Sequence, residues 1–250
     1  MSKNIREQFK LLSLGEKLRE NPKTIWLSVP AFLFSALWST LVGNREELAG
    51  SFGHLGISWE LIRKHHWKSG VFLDLALWSY QQAVKIGVGD GQPSVRLKIG
   101  SMYAEKGDLP RAKKYIEEGL ALCRNIKDVP QGAFLLAHLG RIKTKLGDFA
   151  GAKKDLDKSL SIMEKILKKD SSLRLHIWAS TAEMGLAEWY LAAGDKKRAK
   201  LWAQKVATRA TIHDLKTRAL DAKDLLAKIS AATTMFMAVI QTAWYLAFRR

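Results

Sequence analysis

The sequence offers little that could support covalent stabilisation. Its 250 residues include one cysteine, Cys123. A single cysteine cannot form an internal disulfide, and it cannot build a cysteine-based zinc site, which takes several thiolates. The chain must therefore be held together by packing. This suits a reducing compartment, although helical repeats outside the cytoplasm also fold without disulfides.

Motifs of known catalytic chemistry are also missing. The sequence has no His-Glu-x-x-His and no Gly-x-Ser-x-Gly, and the adjacent His65 and His66 would point to different sides of a helix. The glycine-rich segment 87–91 lacks the Gly-Lys-Ser/Thr of a phosphate-binding loop, so we interpret it as a turn. We expect no enzyme, and therefore no catalytic residues, no cofactor, no metal site and no small-molecule substrate.

Acidic residues are the scarcer charge. The chain has 24 Asp and Glu against 41 Lys and Arg, a formal net charge of +17. Such an excess of positive charge favours anionic partners, namely nucleic acid, anionic lipid or acidic protein. Alternatively, the basic residues belong to a solvated surface and to the flanks of a membrane segment. With 47% hydrophobic residues the chain is not globally disordered.

Two stretches lack charged residues altogether, 25–43 and 231–248. Because about 20 apolar residues cross a bilayer, we predict a transmembrane helix at 25–43. A cleaved signal peptide and a buried helix of a soluble protein are its alternatives. A second hydrophobic helix is expected at 231–250, where it either inserts or caps the chain. The first stretch also carries small residues at helical spacing, which let helices approach closely: Ser28, Ala31, Ser35 and Ser39.

The charges around these stretches bear on location. Residues 1–24 form a basic amphipathic lead that we expect to contact anionic lipid. They contain six Lys and Arg, whereas the 20 residues after 25–43 contain only Arg45 and Arg63. The positive-inside rule then places the repeats outside the cytoplasm, although the basic flank before 231 argues for the reverse. We expect a membrane location, such as a bacterial inner membrane.

A Gly-Asp pair recurs three times with the same sequel. It begins at Gly107, Gly147 and Gly194, and in each case Ala follows five residues after Gly, with Lys next. The spacings of 40 and 47 residues indicate stacked helix pairs. Glycine ends one helix in a left-handed conformation, and Asp caps the start of the next.

The residues around these pairs resemble the tetratricopeptide repeat. The first repeat carries the similarity in Ile99-Gly100, Tyr103-Ala104, Gly107, Ala112, Ile116 and Gly119. Three such repeats cover 93–210, with a degenerate leading repeat at 44–92 and a capping helix at 211–230. The chain departs from the family where a Trp is usual, at Arg96, Leu136 and Glu183, and in its longer period.

The resemblance implies an all-α fold, a right-handed superhelical array of antiparallel helix pairs with the hydrophobic helices at its ends. It also implies a scaffold that binds protein partners in a concave groove, for which we expect an acidic or amphipathic segment. The alternative is a soluble basic repeat protein that binds nucleic acid or anionic surfaces. This alternative is weaker, because the alternation of Lys and Asp at 153–158 interrupts a continuous basic surface. The family register assigns these residues to the groove or its neighbourhood: Leu97, Lys98, Ser101, Phe134, Ala137, His138, Arg141, Lys145, Thr181 and Met184.

Overall fold

The computed structural model describes residues 13–66, 69–87 and 92–231, and these residues form helices joined by short turns. No strand occurs in these three segments, so the all-α prediction is confirmed for them. Helical residues 13–20 and 216–231 flank nine helices: α1 (Ile25–Leu41), α2 (Arg45–His65), α3 (Gly70–Ile86), α4 (Gln92–Glu105), α5 (Leu109–Asn125), α6 (Val129–Lys145), α7 (Phe149–Leu167), α8 (Leu173–Ala192) and α9 (Lys196–Ile212).

The chain divides into two compact units, Met1–Ile126 and Lys127–Arg250. In the first unit each helix from α1 to α5 packs against the next one along the chain. In the second unit α6 packs on α7, α7 on α8 and α8 on α9, and α6 also contacts α8. That last contact stacks the first helices of two successive pairs, which is the arrangement of a helical repeat.

The three Gly-Asp pairs form the turns that the sequence predicts. Gly107, Gly147 and Gly194 have φ angles of +82°, +82° and +84°, a region that side chains with a Cβ rarely enter. The Asp that follows each glycine donates its backbone N–H to the preceding helix, as Asp148 does to the carbonyl oxygen of Lys143 at 3.0 Å. The carboxylate of the Asp then accepts a hydrogen bond from the backbone N–H three residues further along the chain, as Asp148 does from Gly151 at 2.9 Å.

Glycines inside the first helices of the pairs allow close helix contact. A Cβ built on Gly140 of α6 would lie 2.6 Å from the Leu156 side chain and 3.1 Å from the carbonyl oxygen of Ala152. Gly100 of α4 has the same relation to Ile116 and Ala112 of α5, at 2.8 and 3.0 Å. The repeated Gly and Ala are therefore where the two helices of a pair touch.

The prediction of a transmembrane helix at 25–43 is not supported. The helix found there, α1, covers 17 residues, and in the described segments no helix is long and apolar enough to cross a bilayer. Its small-residue stripe packs against α2, where Ser28 Oγ lies 2.9 Å from Ser58 Oγ and Ser51 donates to Ser35 at 2.9 Å. These four hydroxyls are fully buried. The stripe thus serves close helix contact inside the first unit.

Other predictions for the ends of the chain lie outside the described residues. The lead at 1–24 is described only from Ser13 onward, and the second hydrophobic stretch only at Ala231. Insertion or capping by 231–250 and lipid contact by the lead stay predictions. In the capping segment 211–230 the structure has a helix from 216, with Ala222, Leu225 and Ile229 buried against α8 and α9.

A buried polar cluster joins α8 to α9. The Arg209 guanidinium donates two hydrogen bonds to the Glu183 carboxylate, at 2.9 and 2.7 Å, and lies 3.1 Å from His176 Nδ1. Because arginine only donates, His176 Nδ1 must accept and the neutral ring carries its proton on Nε2. Burial, the stacked ring of His213 and the nearby Arg209 lower the pKa of His176.

Replacing Gly140 with Ala should destabilise the second unit. The new methyl group meets Leu156 and the Ala152 backbone, and such overpacking costs about 1–3 kcal/mol, more than the helix propensity that alanine adds. Gly50→Ala is the matched control, because Gly50 lies in α2 with nothing within 4 Å of its Cβ position. It should be neutral or stabilising by up to about 1 kcal/mol. Urea unfolding followed by circular dichroism measures both, and equal stability of the two variants would contradict the contact.

Acidification should destabilise the protein through His176. Its pKa is lower in the folded than in the unfolded state, so the stability it contributes is present above about pH 6.5 and is lost as the pH falls from there towards the folded pKa. His176→Asn keeps an acceptor near the Nδ1 position but cannot be protonated. The melting temperature of the variant should therefore fall less between pH 7.5 and 5 than that of the wild type. The variant should still lose some melting temperature on acidification, because burial also lowers the pKa of His54 and this second histidine destabilises the fold in the same way. If the melting temperatures of the wild type and the variant fall equally with pH, then protonation of His176 does not destabilise the fold.

Candidate partner-binding grooves

The first unit contains an open cavity of about 660 Å³ between α2, α3 and α4. Its floor is apolar and its rim is charged. The apolar lining comes from Leu61 of α2, Phe72, Leu73 and Ala76 of α3, and Met102 of α4. Leu61 and Phe72 are part-exposed, whereas the other three are buried beneath them. A concave apolar surface with a few polar groups at its edge is the usual form of a ligand site.

Two ion pairs cross the rim and connect α2 to α4. Arg63 bonds the Glu105 carboxylate through both guanidinium nitrogens, with Nη1–Oε2 at 3.1 Å. Lys98 Nζ lies 2.7 Å from Glu60 Oε2. Both pairs are part-exposed, and such pairs contribute only about 0–1 kcal/mol. A partner with its own charges could therefore replace them at little cost.

Lys64 completes the rim and differs from the other charged groups. It lines the cavity and is exposed. Among the described residues no carboxylate pairs with it, whereas Glu60, Arg63 and Glu105 each have a partner. The rim therefore offers one cation to an incoming carboxylate.

An aromatic group stands behind the floor of this cavity. Phe72 stacks on Trp59 with ring centroids 5.9 Å apart and meets Trp26 edge-on at 5.7 Å. Rings held on two sides in this way have fixed orientations. The floor is therefore a preformed surface.

Of the groove residues that the sequence predicts in the first unit, Ser101 lies at the cavity. It is exposed and lines it directly. Lys98 is one helical turn away and takes part in the rim pair with Glu60. Leu97 is buried, with 7% of its surface exposed, and belongs to the core.

In the second unit two predicted residues form an aromatic cluster. Phe134 of α6 stacks on Trp178 of α8 with centroids 4.9 Å apart, and His138 meets Phe134 edge-on at 4.8 Å. Arg174 lies over the outer Trp178 ring at 5.3 Å. Ala137, between the two α6 residues, is fully buried. The cluster joins the first helices of two neighbouring pairs.

Of the four remaining predicted residues, Arg141 and Met184 line a polar cavity of about 230 Å³ in the same unit, and Thr181 and Lys145 lie outside its lining. Arg141 of α6 holds the Glu188 carboxylate of α8 with two hydrogen bonds of 2.7 Å. Thr181 is fully buried and accepts a hydrogen bond of 3.0 Å from Arg218. Lys145 is exposed at the end of α6. Partner contact by any of these residues stays a prediction.

The cavity residues that the sequence analysis missed come mainly from the leading helix pair. Glu60, Phe72, Leu73 and Ala76 belong to α2 and α3, whose turn carries no Gly-Asp pair to set the family register. The one available signal in the sequence is the run of basic residues in 63–68. The structure places Arg63 and Lys64 of that segment on the cavity rim. In the three described segments no cluster of His, Cys, Asp or Glu could hold a metal ion.

Comparison with known families agrees with the repeat interpretation. Residues 93–126 and 135–172 each match a family model of the tetratricopeptide repeat. The first match covers α4 and α5, and the second covers most of α6 and all of α7. No curated protein matches the sequence as a whole.

Solved structures share the fold at low sequence identity. BtubC from P. vanneervenii has a TM-score of 0.56 at 15% identity, over 86% of this chain and 93% of that one. Aspartyl phosphate phosphatase F from Bacillus subtilis has a TM-score of 0.66 at 14% identity, over 96% of this chain and 61% of its own. A Rap protein complexed with competence and sporulation factor has a TM-score of 0.59 at 16% identity, over 100% of this chain and 67% of that one. Residues 93–126 and 135–172 are therefore similar to tetratricopeptide repeats, and the solved structures show that the chain shares their helical-repeat fold.

Proposed function

We propose that the protein is a scaffold that binds a segment of another protein in the cavity between α2, α3 and α4. The observation that carries this proposal is the combination of a preformed apolar floor with a charged rim in a cavity of about 660 Å³. Helical repeats bury their own apolar faces between neighbouring helices, so an apolar surface left open in a groove is available to a partner. The similar Rap fold carrying competence and sporulation factor is consistent with such use.

The chemistry of the cavity indicates what kind of segment it takes. The floor accepts one or two apolar side chains, because Phe72, Leu73 and Met102 present no hydrogen-bonding side chain. The rim offers Lys64, which no carboxylate of the described residues pairs with, beside two ion pairs that are neutral overall. An amphipathic segment with an acidic residue next to its apolar anchor satisfies both features.

A bulky side chain at Ser101 should block this cavity. Ser101→Trp places an indole in the open space, and because Ser101 is exposed the substitution does not disturb the core. Peptides selected from a displayed random library on the wild-type protein should bind the variant at least about tenfold more weakly, a loss of about 1.4 kcal/mol. Fluorescence polarisation of the selected peptides measures the affinity.

Ser161→Trp is the matched control, because Ser161 is also an exposed helical serine and lies at a separate cavity in the second unit. It should leave the affinity unchanged. If Ser161→Trp weakens binding and Ser101→Trp does not, the binding site is in the second unit. Failure of any library peptide to bind at micromolar concentration would contradict the proposal.

Reversing the charge at Lys64 should change peptide selection. In Lys64→Glu the rim presents an uncompensated carboxylate, so acidic peptides selected on the wild type should bind more weakly and the loss should shrink at high salt. Lys113→Glu is a suitable control, because Lys113 is a part-exposed lysine of α5 whose partner Glu117 lies on the same helix. Equal effects of the two reversals would show that net charge alone, and not the rim, attracts the peptide. Preferential retention of single-stranded or duplex nucleic acid by the wild type, with a steep salt dependence, would favour the alternative function.

A further inference from the structure

Beyond this groove, the outer face of α1 forms an unusual surface. Five of its exposed residues recur at intervals of three, four, three and four positions: Leu27, Pro30, Phe34, Leu37 and Leu41. We call them the α1 stripe. Leu27, Phe34, Leu37 and Leu41 are 56%, 66%, 58% and 72% exposed, and Leu33 beside them is 47% exposed. No charged residue occurs anywhere in 25–43.

Among the described residues, no helix covers the stripe. The opposite face of α1 packs on α2 through its serines and through Phe32. The helical residues 13–20 also approach that buried side, because a Cβ on Gly15 would lie 2.6 Å from the Phe32 ring. An outer helix of a repeat array normally has a polar outer face for solubility. An uncharged apolar face at such a position is typical of an interface.

The spacing of the stripe indicates a helix as its partner. Apolar residues alternating at three and four positions form the seam along which two helices pack. The stripe spans 14 residues, which is about 21 Å of helix. It ends at Leu41 because α1 ends there.

The arrangement is close to symmetric about Phe34, and this permits a two-fold pairing. Leu27 and Leu41 lie seven residues on either side of Phe34, whereas Pro30 lies four residues before it and Leu37 three after it. In an antiparallel pair of identical helices, Phe34 would meet Phe34, Leu27 would meet Leu41, and Pro30 would lie one position from Leu37. A two-fold interface requires such a self-complementary surface.

We infer that two copies of this chain associate through an antiparallel pairing of their α1 stripes. The area is sufficient for this. With about 150–200 Å² for each fully exposed side chain of this size, the exposed fractions of Leu27, Leu33, Phe34, Leu37, Leu41 and Val42 leave roughly 600 Å² per copy. A pair would bury about 1,200 Å², which is the lower end of specific interfaces.

The net charge gives this association a characteristic salt dependence. Two copies that each carry +17 repel one another, while the contact itself is uncharged. Added salt screens the repulsion and should strengthen the dimer. Binding of the same face to an anionic membrane would respond in the opposite way, because salt weakens attraction between a basic protein and anionic lipid.

Analytical ultracentrifugation of the full chain tests the interface. The wild type should dimerise reversibly, and more tightly at 0.5 M than at 0.1 M salt. Phe34→Glu should raise the dissociation constant at least tenfold, because the two-fold axis places two carboxylates against each other. Leu220→Glu is the matched control, since Leu220 is 62% exposed on the helix of residues 216–231. It should leave the dimer unchanged, and circular dichroism melts should show both variants folded.

Disulfide trapping tests the orientation in a Cys123→Ser background. Phe34→Cys should crosslink with itself under mild oxidation. Leu27→Cys should not crosslink with itself but should do so when mixed with Leu41→Cys. A monomer at all concentrations and salts, or a dimer indifferent to Phe34→Glu, would overturn the inference. So would binding of the monomer to vesicles of anionic phospholipid that is lost in Phe34→Glu, which would assign the stripe to a lipid surface.

Discussion

Close approach of helices is the constraint on which this structure depends. Gly100 faces Ala112, and Gly140 faces Ala152, at distances that leave no space for a methyl group. In the first unit Ser28 and Ser35 of α1 meet Ser58 and Ser51 of α2 in the same way, with their hydroxyls bonded to one another. Small residues set the spacing of each pair, and the larger Ile116 and Leu156 fill the space beside the contact.

The features that could be predicted from the sequence are those fixed by local conformation. A glycine at φ near +82° and an aspartate that caps the next helix are requirements of the turn itself, so their recurrence located α4 to α9 correctly. In the third pair α8 begins at Leu173, directly after Ser172. The turn between α2 and α3 lacks this signal. The leading pair was accordingly the least defined part of the prediction, although it supplies most of the cavity.

The helix at 25–41 shows the limit of hydropathy as a guide. An uncharged run with a stripe of small residues is compatible with a membrane helix and with a helix packed inside a folded unit. In the structure the stripe contacts the serines of α2, the next helix along the chain. The family register met a similar limit in the groove. The register predicts which side of a helix faces the groove in a regular repeat, and it assigns Ala137 and Thr181 to that side. Both residues are fully buried, because α6 and α8 pack directly on each other.

The fate of the positive charge follows from the same packing. Several of the basic residues that produce the net charge of +17 hold helices together within a unit. Arg63 and Lys98 join α2 to α4, while Arg141 joins α6 to α8 and Arg209 joins α8 to α9. A cation bonded to a carboxylate across two helices is not available to a phosphate, so charge of this kind does not form a continuous basic surface. The net charge is therefore weaker evidence for nucleic-acid binding than its size indicates. Within the described segments, a cation without a carboxylate partner, such as Lys64, is the kind of group that distinguishes one partner from another.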